Sequence, residues 1–379
     1  MSLVLNEEQL MLRESAAGFL AEKASVTHFR ALRDAGDALA HDPAVWQEMV
    51  DMGWAGIAIP EVYGGLGYGY TGLGVVLEQV GRNLSASPLE SSVLIGATAI
   101  ECLGSEAQKN HYLAGIAAGE QQVSLALQES GVFDPTGVDT RADKTAQGYV
   151  LSGSKRMVLD ALSAHTFVVI ARSAGQPGES SGLSAFLVPA DAPGLTITPC
   201  AMVDARQCGA LSLDKVVVNA DALLGVEGEA WGALERCLDI AAIGLSAEML
   251  GLSLEAFELT MAYLRERRQF GRVIGSFQAL QHRAAAMFAE LELAKSIVLK
   301  ALQAIDAGDE DLSSLASAAK AKLCEVTKTV SNEGVQMHGG VGMTDEYDIG
   351  FFLKRSRVLQ HLFGDYYYHL DRFAQLDGY

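Results

Sequence analysis

Arg267-Arg268-Gln269-Phe270-Gly271-Arg272-Val273-Ile274-Gly275-Ser276-Phe277-Gln278-Ala279-Leu280-Gln281 is the stretch from which the fold can be read. Leu252, Ala256, Leu259 and Tyr263 precede it at helical spacing, so one helix ends here. Gly271 and Gly275 punctuate a short turn, and Ser276 is placed to cap the next helix. That helix carries Leu280, Ala284, Met287, Leu291, Ala294 and Val298, an alternation of four and three that packs against other helices in a bundle. Arginine beside an exposed aromatic and an amide at a helix junction suits a planar, phosphate-bearing cofactor. The guanidinium forks onto phosphate oxygens and a helix N-terminus adds its dipole. From those few residues alone, a basic interhelical turn capping a helix C-terminus is the better-supported reading.

Outward from this stretch the periodicity changes twice. Residues 1–118 read as a helical domain. Asn6 caps a first helix carrying Leu10, Ala17 and Leu20, and Pro43–Met52 forms a second that stops at Gly53. Ile59-Pro60-Glu61-Val62-Tyr63-Gly64-Gly65-Leu66-Gly67 is a tight loop with left-handed positions, and an Ala/Leu-rich helix follows Ser87-Pro88. Residues 119–225 read as a small β-barrel or sandwich. Val123–Leu127, Tyr149–Leu151, Phe167–Ala171, Ala185–Val188 and Val216–Val218 are β-rich runs between turn signals, with Ser173–Gly182 as the most flexible segment. Residues 226–379 are helical again. Ala316, Ala319, Leu323, Val326 and Val330 continue the bundle spacing and lead to Gln336-Met337-His338-Gly339-Gly340-Val341-Gly342. The glycines there allow a ligand to approach the backbone, and His338 is expected to be a hydrogen-bonding loop residue rather than a titrating catalyst. The expected fold is multidomain α+β: helical, β, then a four-helix bundle.

The chain has 379 residues, enough for two or three domains. Its 28 basic and 47 acidic residues give a net charge of −19, which argues against a nucleic-acid partner. Five cysteines, Cys102, Cys200, Cys208, Cys237 and Cys324, form no Cys-x-x-Cys pair, so scattered thiols in a reducing cytoplasm are expected and no metal site is. No basic segment followed by an apolar run opens the sequence, and no apolar run of the ~20 residues needed for a membrane span is expected.

The opening stretch resembles the flavin-anchoring segment of the acyl-CoA dehydrogenases, Arg-x-Gln-Phe-Gly followed by Ile-Gly-x-Phe-Gln. The Ile59–Gly67 loop, Gly81-Arg82, Ser87-Pro88 and the Gln336–Gly342 segment fall at that family's places. The resemblance implies FAD, with its ADP half held across a subunit interface by Arg267, Gln269, Phe270, Gln278, Gln336, Gly339 and Gly340. It further implies α,β-dehydrogenation of an acyl-CoA, electron-transfer flavoprotein as acceptor, and a homo- or hetero-oligomer built as a dimer of dimers.

The chain departs from the family at the chemistry. A carboxylate in a dry site must take the α proton. The family's usual position for it, a Glu before a Gly, holds Phe363-Gly364 here; Asp365 reads as a helix-start residue. The alternative position, on the first bundle helix, falls on Ala241, with Glu235 one to two turns away as a fallback base. Thr-Glu-Pro becomes Gln128-Glu129-Ser130-Gly131, and Trp-x-Thr-Asn becomes Met157-Val158-Leu159-Asp160. The residues implied to reach a neighbour's cofactor are kept, while those implied to serve the chain's own flavin ring and substrate are lost. This pattern resembles the base-deficient subunit of bacterial heteromeric acyl-CoA dehydrogenases, which act on cyclic, steroid or dicarboxylic acyl-CoA. The competing expectations are a homomeric enzyme using Glu235, a non-catalytic binding or regulatory homologue, and a flavin monooxygenase-like relative.

Overall fold

The computed structural model describes residues 3–36 and 41–379. Helices α1 (Glu7–Lys23), α2 (Val26–Ala35), α3 (Pro43–Asp51), α4 (Gly69–Asn83), α5 (Ala97–Leu103) and α6 (Glu106–Ala117) precede a β region. Its strands are β1 (Val123–Ala126), β2 (Arg141–Lys144), β3 (Gly148–Leu159), β4 (Thr166–Arg172), β5 (Leu183–Pro189), β6 (Leu195–Ala201), β7 (Gln207–Asn219) and β8 (Leu223–Leu224). Then come α7 (Trp231–Glu266), a minimal hairpin of β9 (Arg268–Gln269) and β10 (Arg272–Val273), and helices α8 (Gln278–Ala307), α9 (Leu312–His338), α10 (Ile349–His361) and α11 (Tyr366–Leu376). The order is therefore helices, β-sheet, helical bundle.

The contacts gather into two compact units. One comprises the residues up to Ala31, Tyr70–Ala86 and Ala242–Tyr379; the other comprises Leu32–Gly69 and Ser87–Ala241. The segment 1–118 thus contributes to both.

In the first unit α9 is the central bundle helix. Ala316, Ala319, Leu323, Val326 and Val330 are all buried, as their spacing requires, and α8 meets it through Met287, Leu291, Ala294 and Val298. Helix α4 is not legible as a helix because Gly69, Gly72, Gly74 and Gly81 read as loop. Gly81 and Gly251 of α7 have a packing role. A Cβ on Gly81 would sit 2.0 Å from the Glu248 carbonyl oxygen, and one on Gly251 would sit 1.7 Å from that of Glu78. The α4 and α7 backbones are in direct contact there. The start of α4 is capped from far away, the Asp306 carboxylate accepting from the Tyr70 and Thr71 amides at 2.6 and 3.0 Å. Asn6 caps α1 in a reciprocal box with Gln9, as expected.

In the second unit the sheet runs β6-β7-β3-β2-β4-β5-β8, with β1 added parallel to β4. Strand β4 is buried along its whole length. Leu151, Val158, Phe167, Val169, Phe186, Val188 and Leu213 form the core on this sheet. Strands β3 and β7 run far beyond the expected Tyr149–Leu151 and Val216–Val218, and β2, β6 and β8 add to the expected set. Strand β2 is four residues, three of them charged, and β6 is a mostly exposed edge strand carrying Pro199, so neither shows a clean apolar alternation. Ser173–Gly182 is fastened rather than loose. Arg172, 1% exposed, donates to the carbonyls of Ser181 and Glu179 at 2.9 Å each, and the Ser173 amide bonds the Gly182 carbonyl.

Helix α7 corrects the membrane reading, since it is long and apolar enough to cross a bilayer. The apolar window is entirely buried within the protein, which marks a core helix.

Candidate functional site

The expected anchor begins on the hairpin that interrupts the bundle. Arg272 pairs with Gln269 and Val273 with Arg268, so Phe270-Gly271 forms a two-residue turn with φ of 52° and 78°. Glycine takes that conformation freely. Phenylalanine does so at a cost of about 1–2 kcal/mol, and its ring, 88% exposed, stands at the tip. Phe277 meets Phe270 edge-on at 6.1 Å, and the Arg272 guanidinium lies over the Phe277 ring at 4.1 Å. The Arg267 carbonyl accepts from the Ile274 amide at 2.8 Å and closes the loop. The expected Ser276 cap does not form. Its hydroxyl donates to the Val273 carbonyl instead, and α8 starts after Phe277 with no side-chain cap. The reason is a 3-10 turn over Ile274–Ser276, which moves the helix start past the serine.

The second expected segment lies at the end of α9. Gln336 and His338 are still helical, so the glycine turn begins later than a loop over the whole motif. Gly339 has φ of 67°, and a Cβ at Gly339 or Gly340 would meet nothing within 4 Å. These two glycines border open space that a ligand could enter. Gly342 differs, its position filled by the His338 side chain and the Val335 carbonyl. His338 is buried and hydrogen-bonded, as expected in kind, but on a helix. Its Nδ1 donates to the Gly334 carbonyl at 2.7 Å, and burial pushes its pKa down. Arg267, Gln269, Phe270, Gln278, Gln336, Gly339 and Gly340 are all exposed, and the Arg267 guanidinium has no side-chain partner among the described residues. An exposed arginine with no side-chain partner among the described residues fits a diphosphate, and the open glycine turn would admit one to the backbone.

The positions expected from the resemblance to carry the base hold no carboxylate. Phe363 is left-handed with φ of 52°, followed by Gly364 at 100°. Their carbonyls are gripped by a buried ring and a buried amine: Phe363 by His369 Nε2 at 2.9 Å, Gly364 by Lys320 Nζ at 2.9 Å. Asp365 is spent as the cap of α11, accepting from the Tyr367 and Tyr368 amides. On α7, Ala241 is fully buried, and Glu235 is half-buried nearly two turns earlier.

His369 makes the first unit acid-sensitive. Burial, aided by the Lys320 charge, pulls its pKa down to about 3. The unfolded chain, with its histidine near ~6.5, takes the proton first, so this contribution is complete above that pH and is lost as pH falls toward the folded value. The loss is about 1.4 kcal/mol per unit. We expect His369→Asn to flatten the decline of the urea midpoint between neutrality and mildly acid pH; parallel curves for the two proteins would contradict the assignment.

The segment of the second unit expected from the resemblance to face a flavin ring carries different side chains. Met157 sits in a bulge of β3 with φ of 54°, and Leu159 is buried; neither offers a hydrogen-bond donor from its side chain. Contacts that sequence reasoning does not give hold the loop beside them. Glu129 accepts from the Asp139 and Thr140 amides and from Lys155 Nζ at 2.7, 3.1 and 2.6 Å. Burial pulls Lys155 down to about 8. Arg172 takes the Thr136 and Val138 carbonyls of the same loop at 2.8 and 3.0 Å. At the end of β3, Asp160 accepts from Ser91 at 2.6 Å, and a buried Arg206–Glu90 pair lies alongside. Glu90 and Ser91 belong to a fully buried π-helical turn, Leu89–Gly96. No signal within the sequence connects these residues, since the pair is separated by 116 positions.

Comparison with known proteins bears directly on this arrangement. The N-terminal, middle and C-terminal domains of acyl-CoA dehydrogenase match residues 6–120, 125–216 and 228–375. The probable acyl-CoA dehydrogenase YngJ of Bacillus subtilis is 31% identical over 95% of each chain. This chain belongs to the acyl-CoA dehydrogenase family. Among solved structures, butyryl-CoA dehydrogenase from Megasphaera elsdenii matches with a TM-score of 0.91 at 26% identity, covering 99% of each chain. A structure described as a variant of the Tcur3481-Tcur3483 steroid ACAD matches at 0.87 and 31%, covering 98% of each. The three-domain order of this acyl-CoA dehydrogenase, an oxidoreductase by family, is therefore that of its relatives.

Proposed function

We propose that this chain is the cofactor-anchoring, base-deficient subunit of a heteromeric acyl-CoA dehydrogenase that works in the cytoplasm and passes its electrons to an electron-transfer flavoprotein. One observation carries the reading: the residues suited to the ADP half of FAD are present and exposed, with no side-chain partner for Arg267 among the described residues, whereas both expected base positions are apolar and the Met157 and Leu159 side chains offer no hydrogen-bond donor. FAD, when bound, supplies the acceptor for the β hydride. Arg267 would take a phosphate oxygen, and the open Gly339–Gly340 turn would let the diphosphate approach the backbone. Gln269, Gln278 and Gln336 offer amides, and Phe270 a flat apolar face. The proton would be removed by a carboxylate of an unlike partner chain in a dimer of dimers. The likeness to the Tcur3481-Tcur3483 steroid ACAD supports a pair of unlike chains and a bulky acyl group.

The experiment is to replace Arg267 by Ala in the assembly purified with its partner. FAD binding should weaken by roughly 1.5–3 kcal/mol, the scale of a charge-assisted hydrogen bond, measured by equilibrium dialysis. Unchanged affinity in every assembly carrying the variant would remove Arg267 from the anchor.

A further inference from the structure

Two segments far apart in sequence are held together by one residue. Tyr263 lies in the last turn of α7, and its carbonyl accepts from the Arg267 amide at 2.9 Å, where the hairpin begins. Its hydroxyl donates to the carbonyl of His338 at 3.2 Å, the residue immediately before Gly339. Its ring stacks on the His338 imidazole, centroids 4.4 Å apart and planes 25° apart. Tyr347 closes the group, edge-on to Tyr263 at 5.8 Å and to His338 at 5.7 Å. The imidazole is itself fixed. A carbonyl can only accept, so the proton sits on Nδ1 and points to Gly334 on the preceding turn of α9.

We infer that Tyr263 is a positioning residue that couples the Arg267 hairpin to the Gly339–Gly340 turn, so that both meet the diphosphate of an adenine dinucleotide as one preformed surface. The inference rests on the anchoring role proposed above. The physical reason is pre-organisation. Arg267 and the Gly339 backbone stand at the ends of different helices, and ordering them separately on binding would cost affinity that a locked pair retains. The tyrosine locks each with a different part: the backbone carbonyl holds the Arg267 end, while the ring and hydroxyl hold the His338 end. Tyr263 is half-buried and its hydroxyl is committed to a carbonyl, so its proposed role is support.

The test measures FAD affinity by dialysis and amide hydrogen exchange in the full assembly. Tyr263→Leu removes the stack and the hydroxyl bond, and should weaken FAD roughly tenfold, the lower end for residues that orient a ligand shell. Tyr263→Phe keeps the stack and should recover most of that loss. In Tyr263→Leu the amides of Arg267–Ile274 and of Gly339–Met343 should exchange faster together, with the middle of α8 unchanged. Combining Arg267→Ala with Gly340→Ala should be non-additive in the native background and additive, within about twofold, in Tyr263→Leu. If Tyr263→Leu leaves FAD affinity within about twofold while Arg267→Ala weakens it, the coupling is wrong and the anchor stands. If neither variant changes affinity, the anchor itself fails. Should Tyr263→Leu not fold, Tyr263→Phe decides through the one bond it removes, from the hydroxyl to the His338 carbonyl: a small acceleration of exchange confined to both segments together supports the coupling, and acceleration in neither segment, or in one alone, overturns it.

Discussion

Purified without a homologous partner, this chain is expected to dehydrogenate acyl-CoA thioesters ~10²–10⁴-fold more slowly than an enzyme with its base in place, because general-base catalysis supplies that factor. Phe363 and Ala241 carry no proton acceptor, and the carboxylate next along the chain, Asp365, already accepts two amides as a helix cap. The Phe363–Gly364 turn is nevertheless held firmly by His369 and Lys320. Phe363→Glu therefore places a carboxylate on a well-defined backbone, yet it should restore little activity to the isolated chain, because Met157 and Leu159 still provide no donor to a ring. Stopped-flow reduction of flavin, with FAD supplied in excess, across a panel of acyl-CoA lengths checks this. Rapid reduction by the isolated native chain would contradict it, and Glu235→Gln would then be the next variant to make.

Arg206→Leu is expected to lower the stability of the second unit by about 3–5 kcal/mol, the cost of removing one partner from a buried ion pair. Glu90 is 1% exposed, and Arg206 faces the charges of Glu90, Asp160 and Asp204 at once. Without the guanidinium these carboxylates stay buried with too little countercharge. Burial lowers the Arg206 pKa, and the three carboxylates more than reverse that, holding the guanidinium charged at any accessible pH. The double variant Glu90→Leu/Arg206→Leu should recover part of the loss, since an apolar pair avoids its own desolvation penalty, while Asp160 and Asp204 still lack the guanidinium. Urea unfolding followed by a probe in the β region measures both. A single variant within about 1 kcal/mol of the native protein would mean that water reaches the pair.

The bundle is legible because its helices repeat one pattern: the five α9 residues read from spacing are all buried. The turns at Gly271 and Gly339 are legible because both glycines take left-handed backbone, a local signature. Helix α4 escapes because its glycines serve close helix packing, which only the partner helix reveals. Ser276 misleads because a turn competes for the same residues. The supports of the β region escape for another reason. Arg172 binds four main-chain carbonyls, and Glu129 and Lys155 are joined across a loop; backbone acceptors leave no trace in side-chain identity.

The central claim is that this chain anchors a cofactor whose ring and base belong to an unlike partner. Its most direct test is the flavin content of the purified chain, alone and co-expressed with a homologue carrying the missing glutamate, by absorbance together with native mass spectrometry. The account predicts a nearly colourless chain on its own and a single FAD for each unlike pair. A homomeric protein holding one FAD per chain would contradict it.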